Sequence, residues 1–189
     1  MLMYLNKTEI EDVLVIEPAY FKDDRGWFSE TWNQSWLDEI TPGLRFVQDN
    51  HSFSSPKGTI RGLHYQSPPA AQDKLIRVIQ GSVTDVAVDI RKGSPTYGKW
   101  VSRLLSSKNG LQLLVPKGFL HGFMTLEDNT EVLYKCTNFY SPDCDGGIKF
   151  DDPYLAINWG VDISDAILSE KDKIAPSFKN FDSPFTFEG

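Results

Sequence analysis

Through the middle of the chain, short apolar segments alternate with turn-forming residues so closely that they argue for a β architecture. Lys74–Gln80, Val83–Arg91, Lys99–Leu105, Leu111–Val115, Phe119–Leu126 and Glu131–Tyr140 each have the length and composition of a strand. Gly81-Ser82, Gly93-Ser94-Pro95, Lys108-Asn109-Gly110, Pro116-Lys117-Gly118 and Glu127-Asp128-Asn129 separate them. Strands at this spacing, with such turns, predict an all-β sandwich or barrel. Upstream, Asp12–Glu17 reads as a strand ended by Pro18. Phe21–Gly26 reads as a turn, and Trp27–Trp32 as a strand with Phe28 and Glu30 on one face. Gln34–Ile40 has helical spacing and stops at Pro42-Gly43. Leu44–Phe53 alternates, with Phe46, Gln48 and Asn50 on one face and Val47, Asp49 and His51 on the other. From Asp151 the pattern changes to loops and short helical stretches around 162–173. The expected organisation is a single domain over 1–189: N-terminal strands to about 55, a core over about 56–150 and a C-terminal cap.

The 189 residues carry a net charge of −7, which offers no bulk attraction for nucleic acid. No apolar run approaches the roughly 18 residues that a membrane span requires. Asn6, Lys7 and Glu9 interrupt the N-terminus, so no signal-peptide core is visible there. The two cysteines, Cys136 and Cys144, give no disulfide framework and no paired metal-ligand spacing. The expected location is the cytoplasm, with no membrane partner.

Chemistry concentrates in Gly58-Thr59-Ile60-Arg61-Gly62-Leu63-His64-Tyr65-Gln66. Strict alternation sends Arg61 and His64 to opposite faces, so both reach one ligand only if the strand bends between them. Gly62 permits such a bend, since glycine in a strand often marks a bulge or a close backbone approach. A packed strand with an incidental histidine fits the local pattern equally well.

A second histidine, His121, follows Gly110, five residues and Pro116-Lys117-Gly118-Phe119-Leu120. With Gly58, five residues and His64, this resembles the two half-motifs of the cupin superfamily, small jelly-roll barrels. A metal-binding cupin would carry a second histidine at position 66 and a glutamate a few residues on. Here Gln66, Ala70 and Ala71 occupy that region. Two imidazoles without a carboxylate make a poor metal site, so a metal-free barrel is expected.

Further motifs narrow the resemblance. Asp24-Arg25-Gly26-Trp27-Phe28-Ser29-Glu30, Gln48-Asp49-Asn50, Arg61–Gln66, Lys74-Leu75, Pro116–Phe123, Glu131–Lys135 and Leu168-Ser169-Glu170-Lys171-Asp172 resemble the dTDP-4-dehydrorhamnose 3,5-epimerase family, in order and over most of the chain. The resemblance implies a dimeric, cofactor-independent cupin-like jelly roll acting on a nucleotide-linked 4-keto-6-deoxy sugar. Epimerisation beside a carbonyl requires a base on one side of the ring and an acid on the other. It also requires a cation or donor at the developing oxyanion. His64 is the candidate base and, as the resemblance implies, Asp172 its orienting partner; alone, Glu170-Lys171-Asp172-Lys173 reads as a solvated charge run. Tyr134 is the implied acid and Lys74 the implied enolate stabiliser, although a strand tyrosine is more often core and a strand-opening lysine more often exposed.

Arg25, Arg61 and Lys171 suit a diphosphate, and Glu30, Gln48 and Asn50 suit the base and sugar. Phe21 and Phe28 offer apolar walls, and Asp49 and His121 complete the expected substrate contacts. Tyr140 is expected on the strand face of Tyr134, Cys136 and Asn138. Asp145 stands where family members commonly carry glutamate. The resemblance also implies that the segment with Arg25 and Glu30 reaches the partner subunit's site. The alternatives are inversion at C3 or C5 alone, a metal-dependent cupin, and a sugar-binding cupin without activity.

Overall fold

The computed structural model describes residues 3–188, and between Lys74 and Cys136 its strands follow the predicted runs to within two residues at most ends. In chain order the elements are β1 (Met3–Lys7), β2 (Leu14–Pro18), β3 (Phe21–Asp23), β4 (Gly26–Phe28), α1 (Gln34–Ile40), β5 (Gln48–Ser54), β6 (Ile60–Gln66) and β7 (Lys74–Gln80). They continue as β8 (Ser82–Asp89), β9 (Trp100–Ser106), β10 (Gln112–Val115), β11 (Phe119–Thr125), β12 (Thr130–Cys136), β13 (Asp145–Gly147) and α2 (Glu170–Lys173). One sheet has the order β1-β2-β10-β7-β12-β5 and a second the order β13-β6-β11-β8-β9. Neighbouring strands run antiparallel in both. Ile76, Val78, Leu113, Val115 and Val132 of the first sheet pack against Val83, Ala87, Val101, Leu105, Phe119 and Phe123 of the second. Each set occupies alternate positions of its strands, as two facing half-buried sheets require. The expected cupin-like jelly roll is the fold observed.

The outer faces are covered differently. Trp36 and Leu37 of α1 lie on Ile16, Leu75 and Leu114 of the larger sheet. The C-terminal segment brings Phe150, Leu155, Trp159 and Phe185 onto Ile60, Leu63, Val86, Val88, Leu120 and Met124 of the smaller one. No helix of the described residues is long and apolar enough to cross a membrane.

Four boundaries differ from the sequence reading. Trp27–Trp32 is not a strand: β3 and β4 form a hairpin, and residues 29–33 are irregular up to Asn33, whose side chain caps α1. The Asp23 carboxylate accepts from the Arg25 backbone N–H at 2.9 Å and closes the hairpin turn. β5 starts at Gln48 rather than Leu44, because Leu44 and Phe46 are drawn into the cluster under α1. β12 ends at Cys136, and the next residue, Thr137, exchanges hydrogen bonds with Asp73. Around 162–173 only Glu170–Lys173 is helical. β1 and β13 were not predicted.

The bend expected at Gly62 is present. His64 pairs with His121 and Arg61 with Phe123, so one extra residue is accommodated between them. Gly62 has φ +128°, and a Cβ there would stand 2.6 Å from Gly122 Cα and 2.8 Å from the His121 carbonyl oxygen. The contacts are backbone, which cannot swing aside. Gly62→Ala is therefore expected to cost about 3 kcal/mol or more, combining overpacking with a strained dihedral. The denaturant midpoint measures this, and a wild-type midpoint would show that β11 can yield.

Candidate active site

Strand register builds the site as two facing rows. On the larger sheet Lys74, Cys136 and Gln48 lie side by side across β7, β12 and β5, and Ile76, Tyr134 and Asn50 form the next row. On the smaller sheet Gly147, His64, His121 and Ala87 form a row across β13, β6, β11 and β8, with Asp145 opposite Gln66 beside it. The apolar interior gives way to these polar residues at one end of the sandwich.

His64 and Asp172 meet although 108 residues separate them. The His64 Nε2 lies 2.6 Å from an Asp172 carboxylate oxygen. Backbone bonds from the Ile60 N–H to the Ile167 carbonyl and from the Ile167 N–H to the Gly58 carbonyl, each 2.9 Å, anchor the cap at the start of β6. From there Ser169 caps α2: its hydroxyl accepts from the Asp172 N–H at 3.1 Å and donates to the Asp172 side chain at 2.8 Å. Asp172 is buried and His64 is partly exposed. Burial opposes ionisation of Asp172, but the His64 hydrogen bond and charge, with Ser169 and Lys171, outweigh it and hold the carboxyl below its usual range.

A cavity of about 370 Å³ opens at this pair, lined by Arg61, His64, Tyr134, Ile167, Leu168 and Asp172 among others. His64 stands on one sheet and Tyr134 on the other. Burial pushes the Tyr134 phenol up, Cys136 adds to the rise and Arg61 opposes it, so the hydroxyl keeps its proton at neutral pH. Burial lowers the pKa of Lys74, with Lys171 adding to the fall and Cys136, Asp145 and Asp85 opposing it. A larger concavity of about 1260 Å³, near Arg45, Arg91 and Lys117, contains none of the expected site residues.

Other expected residues are engaged within the chain. Arg61 donates to the Ser54 hydroxyl at 3.2 Å and to the Phe53 carbonyl at 2.9 Å, which holds its guanidinium beside the cavity. Gln48 accepts from the Tyr140 N–H at 2.9 Å and donates to Asn50 at 3.0 Å. His121 is buried against Asp85, 2.9 Å from its carboxylate. The Gln66 amide donates to the Ala70 and Phe139 carbonyls and accepts from the Ser141 N–H. All three bonds are to the backbone, so they hold the Gln66 side chain in place.

Several placements depart from expectation. Asp49 lies on the opposite face of β5 from Gln48 and Asn50, as the alternation predicts, and pairs with Lys135 at 3.0 Å instead of joining the expected substrate contacts. Tyr140 lies beyond the end of β12, so it does not continue Tyr134's face; its hydroxyl instead meets Asp145 at 3.1 Å. Lys171 is paired with Asp145 rather than standing free. Of the expected residues Arg61, His64, Tyr134 and Asp172 line the cavity, whereas Lys74, Gln48 and Asn50, like Phe21, Arg25, Phe28 and Glu30, do not. The hairpin holds Phe21, Trp27 and Phe28 largely exposed, and the Arg25 side chain, bonded to Asp23, is 90% exposed.

Two supporting residues escaped the sequence reading. Asp85 is a charge inside the apolar strand Ser82–Asp89, a pattern that itself signals a buried partner. Ser169 stands three residues before Asp172, the spacing of a helix cap.

Comparison with known proteins shows the family. Residues 7–180 match the family described as dTDP-4-dehydrorhamnose 3,5-epimerase. The Escherichia coli K12 dTDP-4-dehydrorhamnose 3,5-epimerase is 53% identical over 172 residues, 90% of this chain and 92% of that protein. The crystal structure of the Legionella pneumophila dTDP-6-deoxy-D-glucose-3,5-epimerase, in complex with dTDP-4-keto-L-rhamnose, aligns with a TM-score of 0.94 at 42% identity. That alignment covers 99% of this chain and 100% of the other. The Bacillus anthracis dTDP-4-dehydrorhamnose 3,5-epimerase, with TDP and PPi bound, gives a TM-score of 0.89 at 49% identity over 93% of this chain and 99% of that one.

Proposed function

The chain belongs to the dTDP-4-dehydrorhamnose 3,5-epimerase family and is an epimerase, and on that premise we propose how its residues share the reaction. The substrate is dTDP-4-dehydro-6-deoxy-D-glucose and the product dTDP-4-dehydro-L-rhamnose. The observation that carries the proposal is the His64–Asp172 pair, 2.6 Å apart, sharing a cavity with Tyr134 on the facing sheet.

The C3 and C5 hydrogens both flank the C4 carbonyl, so removing either gives an enolate with its charge on the same oxygen. With the Nε2 hydrogen donated to Asp172, Nδ1 of His64 carries the lone pair that accepts the carbon proton. Asp172 stabilises the imidazolium that forms. Lys74, on the facing row, supplies a cation for the C4 oxyanion. Tyr134 returns a proton from the other face of the ring, and its buried, neutral phenol is suited to that step. Bonding electrons stay with the sugar and one proton leaves as another arrives, so the step balances without a redox cofactor. The donor set also favours a metal-free reading, because Gln66 is held by three backbone groups. Arg61 supports the diphosphate side of the ligand. The free thiols of Cys136 and Cys144 suit a reducing compartment, and we place the protein in the cytoplasm.

Incubation with dTDP-4-dehydro-6-deoxy-D-glucose and proton NMR of the product tests the assignment. The coupling constants of a sugar inverted at both C3 and C5 are expected. Inversion at a single centre would restrict the chemistry to that carbon, and unchanged substrate would refute the reading.

We extend the proposal to a homodimer in which Arg25 and Glu30 of one subunit complete the site of the other. The support is the projecting hairpin with its uncovered Phe21, Trp27 and Phe28. Rings exposed this widely on a short hairpin need a surface outside the chain. Mixing an Arg25→Ala chain with a His64→Ala chain is then expected to restore activity, since one site of each mixed dimer regains both residues. No recovery in proven heterodimers would place the whole site within one subunit.

A further inference from the structure

We infer that Asp73 is a positioning residue: it clamps three chain segments together at the end of the larger sheet and so holds Lys74 in reach of the C4 oxyanion. The inference rests on the reading of Lys74 as the cation for that oxygen. Lys74 opens β7 and is its last rung on both sides, paired with Val115 of β10 and with Cys136 of β12. Tyr134, one row along β12, lines the cavity, whereas Lys74 does not. The ammonium therefore meets the substrate only through the length of its side chain. Where that side chain starts is set by the end of a sheet, which frays unless it is tied.

Asp73 supplies the tie on both sides. Towards β10 the ladder cannot continue, because Pro116 follows Val115 and has no backbone N–H to donate. The Asp73 carboxylate reaches past it and accepts from the Lys117 N–H at 3.2 Å. Towards β12 the Asp73 carbonyl accepts from the Thr137 N–H at 3.1 Å, and the Asp73 N–H donates to the Thr137 hydroxyl at 2.8 Å. That hydroxyl donates in turn to the second Asp73 carboxylate oxygen at 2.9 Å, which closes the ring. One residue thus joins the start of β7, the turn before β11 and the end of β12, directly ahead of Lys74. It does so through the backbone rather than by charge: the neighbours that shift the Lys74 ammonium are Cys136, Asp145, Asp85 and Lys171.

Steady-state kinetics and deuterium exchange on Asp73→Ala, Thr137→Val, Asp73→Asn and Lys74→Met, and on the Asp73→Ala, Lys74→Met double variant, test this. Asp73→Ala and Thr137→Val are each expected to lower kcat about tenfold with KM within about twofold, the signature of an interaction needed in the transition state. Exchange of the sugar hydrogens with solvent should fall by the same factor as inversion, since both pass through the enolate. Asp73→Asn keeps an oxygen for Lys117 and can turn its amide to the Thr137 hydroxyl, so kcat should stay within about threefold of wild type. In the Lys74→Met background Asp73→Ala should slow the residual reaction by no more than about twofold, because the group that it positions is gone. A residue that served stability alone would lower the denaturant midpoint and leave kcat of the folded chain unchanged. Unchanged kcat in Asp73→Ala or in Thr137→Val would overturn the clamp, and Thr137→Val decides alone if Asp73→Ala does not fold. An undiminished loss in the Lys74→Met background would also overturn it, by placing the action of Asp73 elsewhere. Wild-type turnover in Lys74→Met would instead reject the reading of Lys74 itself.

Discussion

His64→Ala is expected to abolish inversion at C3 and C5 together with exchange of the sugar hydrogens with solvent. Both processes begin with loss of a carbon proton, and among the described residues the nearest alternatives are already engaged. The imidazole of His121 faces the buried Asp85 carboxylate, and the Asp172 carboxylate is itself buried and bound to Ser169. General bases commonly contribute about 10²–10⁴ in rate, so turnover should fall at least that far. The loss should not reflect unfolding, since His64 is partly exposed and Asp172 keeps its Ser169 hydrogen bonds. Turnover within tenfold of wild type in a folded His64→Ala chain would move the base elsewhere.

Tyr134→Phe should separate the two halves of the reaction. The ring, its packing against the apolar interior and the base all remain, and only the hydroxyl is lost. An enolate can still form and be reprotonated from the His64 side, which restores the original configuration. In heavy water the variant is therefore expected to place deuterium into unreacted substrate while forming inverted product about 10²–10⁴ times more slowly than wild type. Proton NMR of the recovered sugar reads both quantities. Inversion at the wild-type rate would reduce Tyr134 to a wall residue. Tyr140 would then be a poor replacement, because its hydroxyl is engaged by Asp145 and its side chain lies off the β12 face.

These assignments differ in how far the sequence reveals them. The strands from Lys74 to Cys136 are legible because apolar alternation and turn residues agree there, and the bend at Gly62 is legible because two functional side chains otherwise diverge. Asp172 is a different case. Within Glu170-Lys171-Asp172-Lys173 it has the look of a solvated charge, and only the bridge between Thr59 and Ile167 carries it to His64. Local pattern has no access to that pairing; the motif resemblance does. The hairpin differs from the predicted strand for a physical reason. Trp27 and Phe28 imitate the alternation of a buried strand, yet both rings are exposed in the chain, so their composition reflects a surface rather than a core. Strand propensity that continues past Cys136 suggests that Tyr140 shares the face of Tyr134, whereas β12 ends at Cys136. The Asp145–Lys171 contact joins residues 26 apart on two short elements, β13 and α2, neither of which has a periodic signature.

On the proposed mechanism, inversion proceeds by breaking and remaking carbon–hydrogen bonds with protons exchanged through protein side chains. Turnover of dTDP-4-dehydro-6-deoxy-D-glucose by the wild-type protein in heavy water, with the product analysed by mass spectrometry and NMR, tests it most directly. One solvent deuterium at C3 and another at C5 of the inverted sugar are expected, because the proton returned from the Tyr134 side has equilibrated with solvent. Inverted product that retains the original hydrogen at either carbon would contradict it.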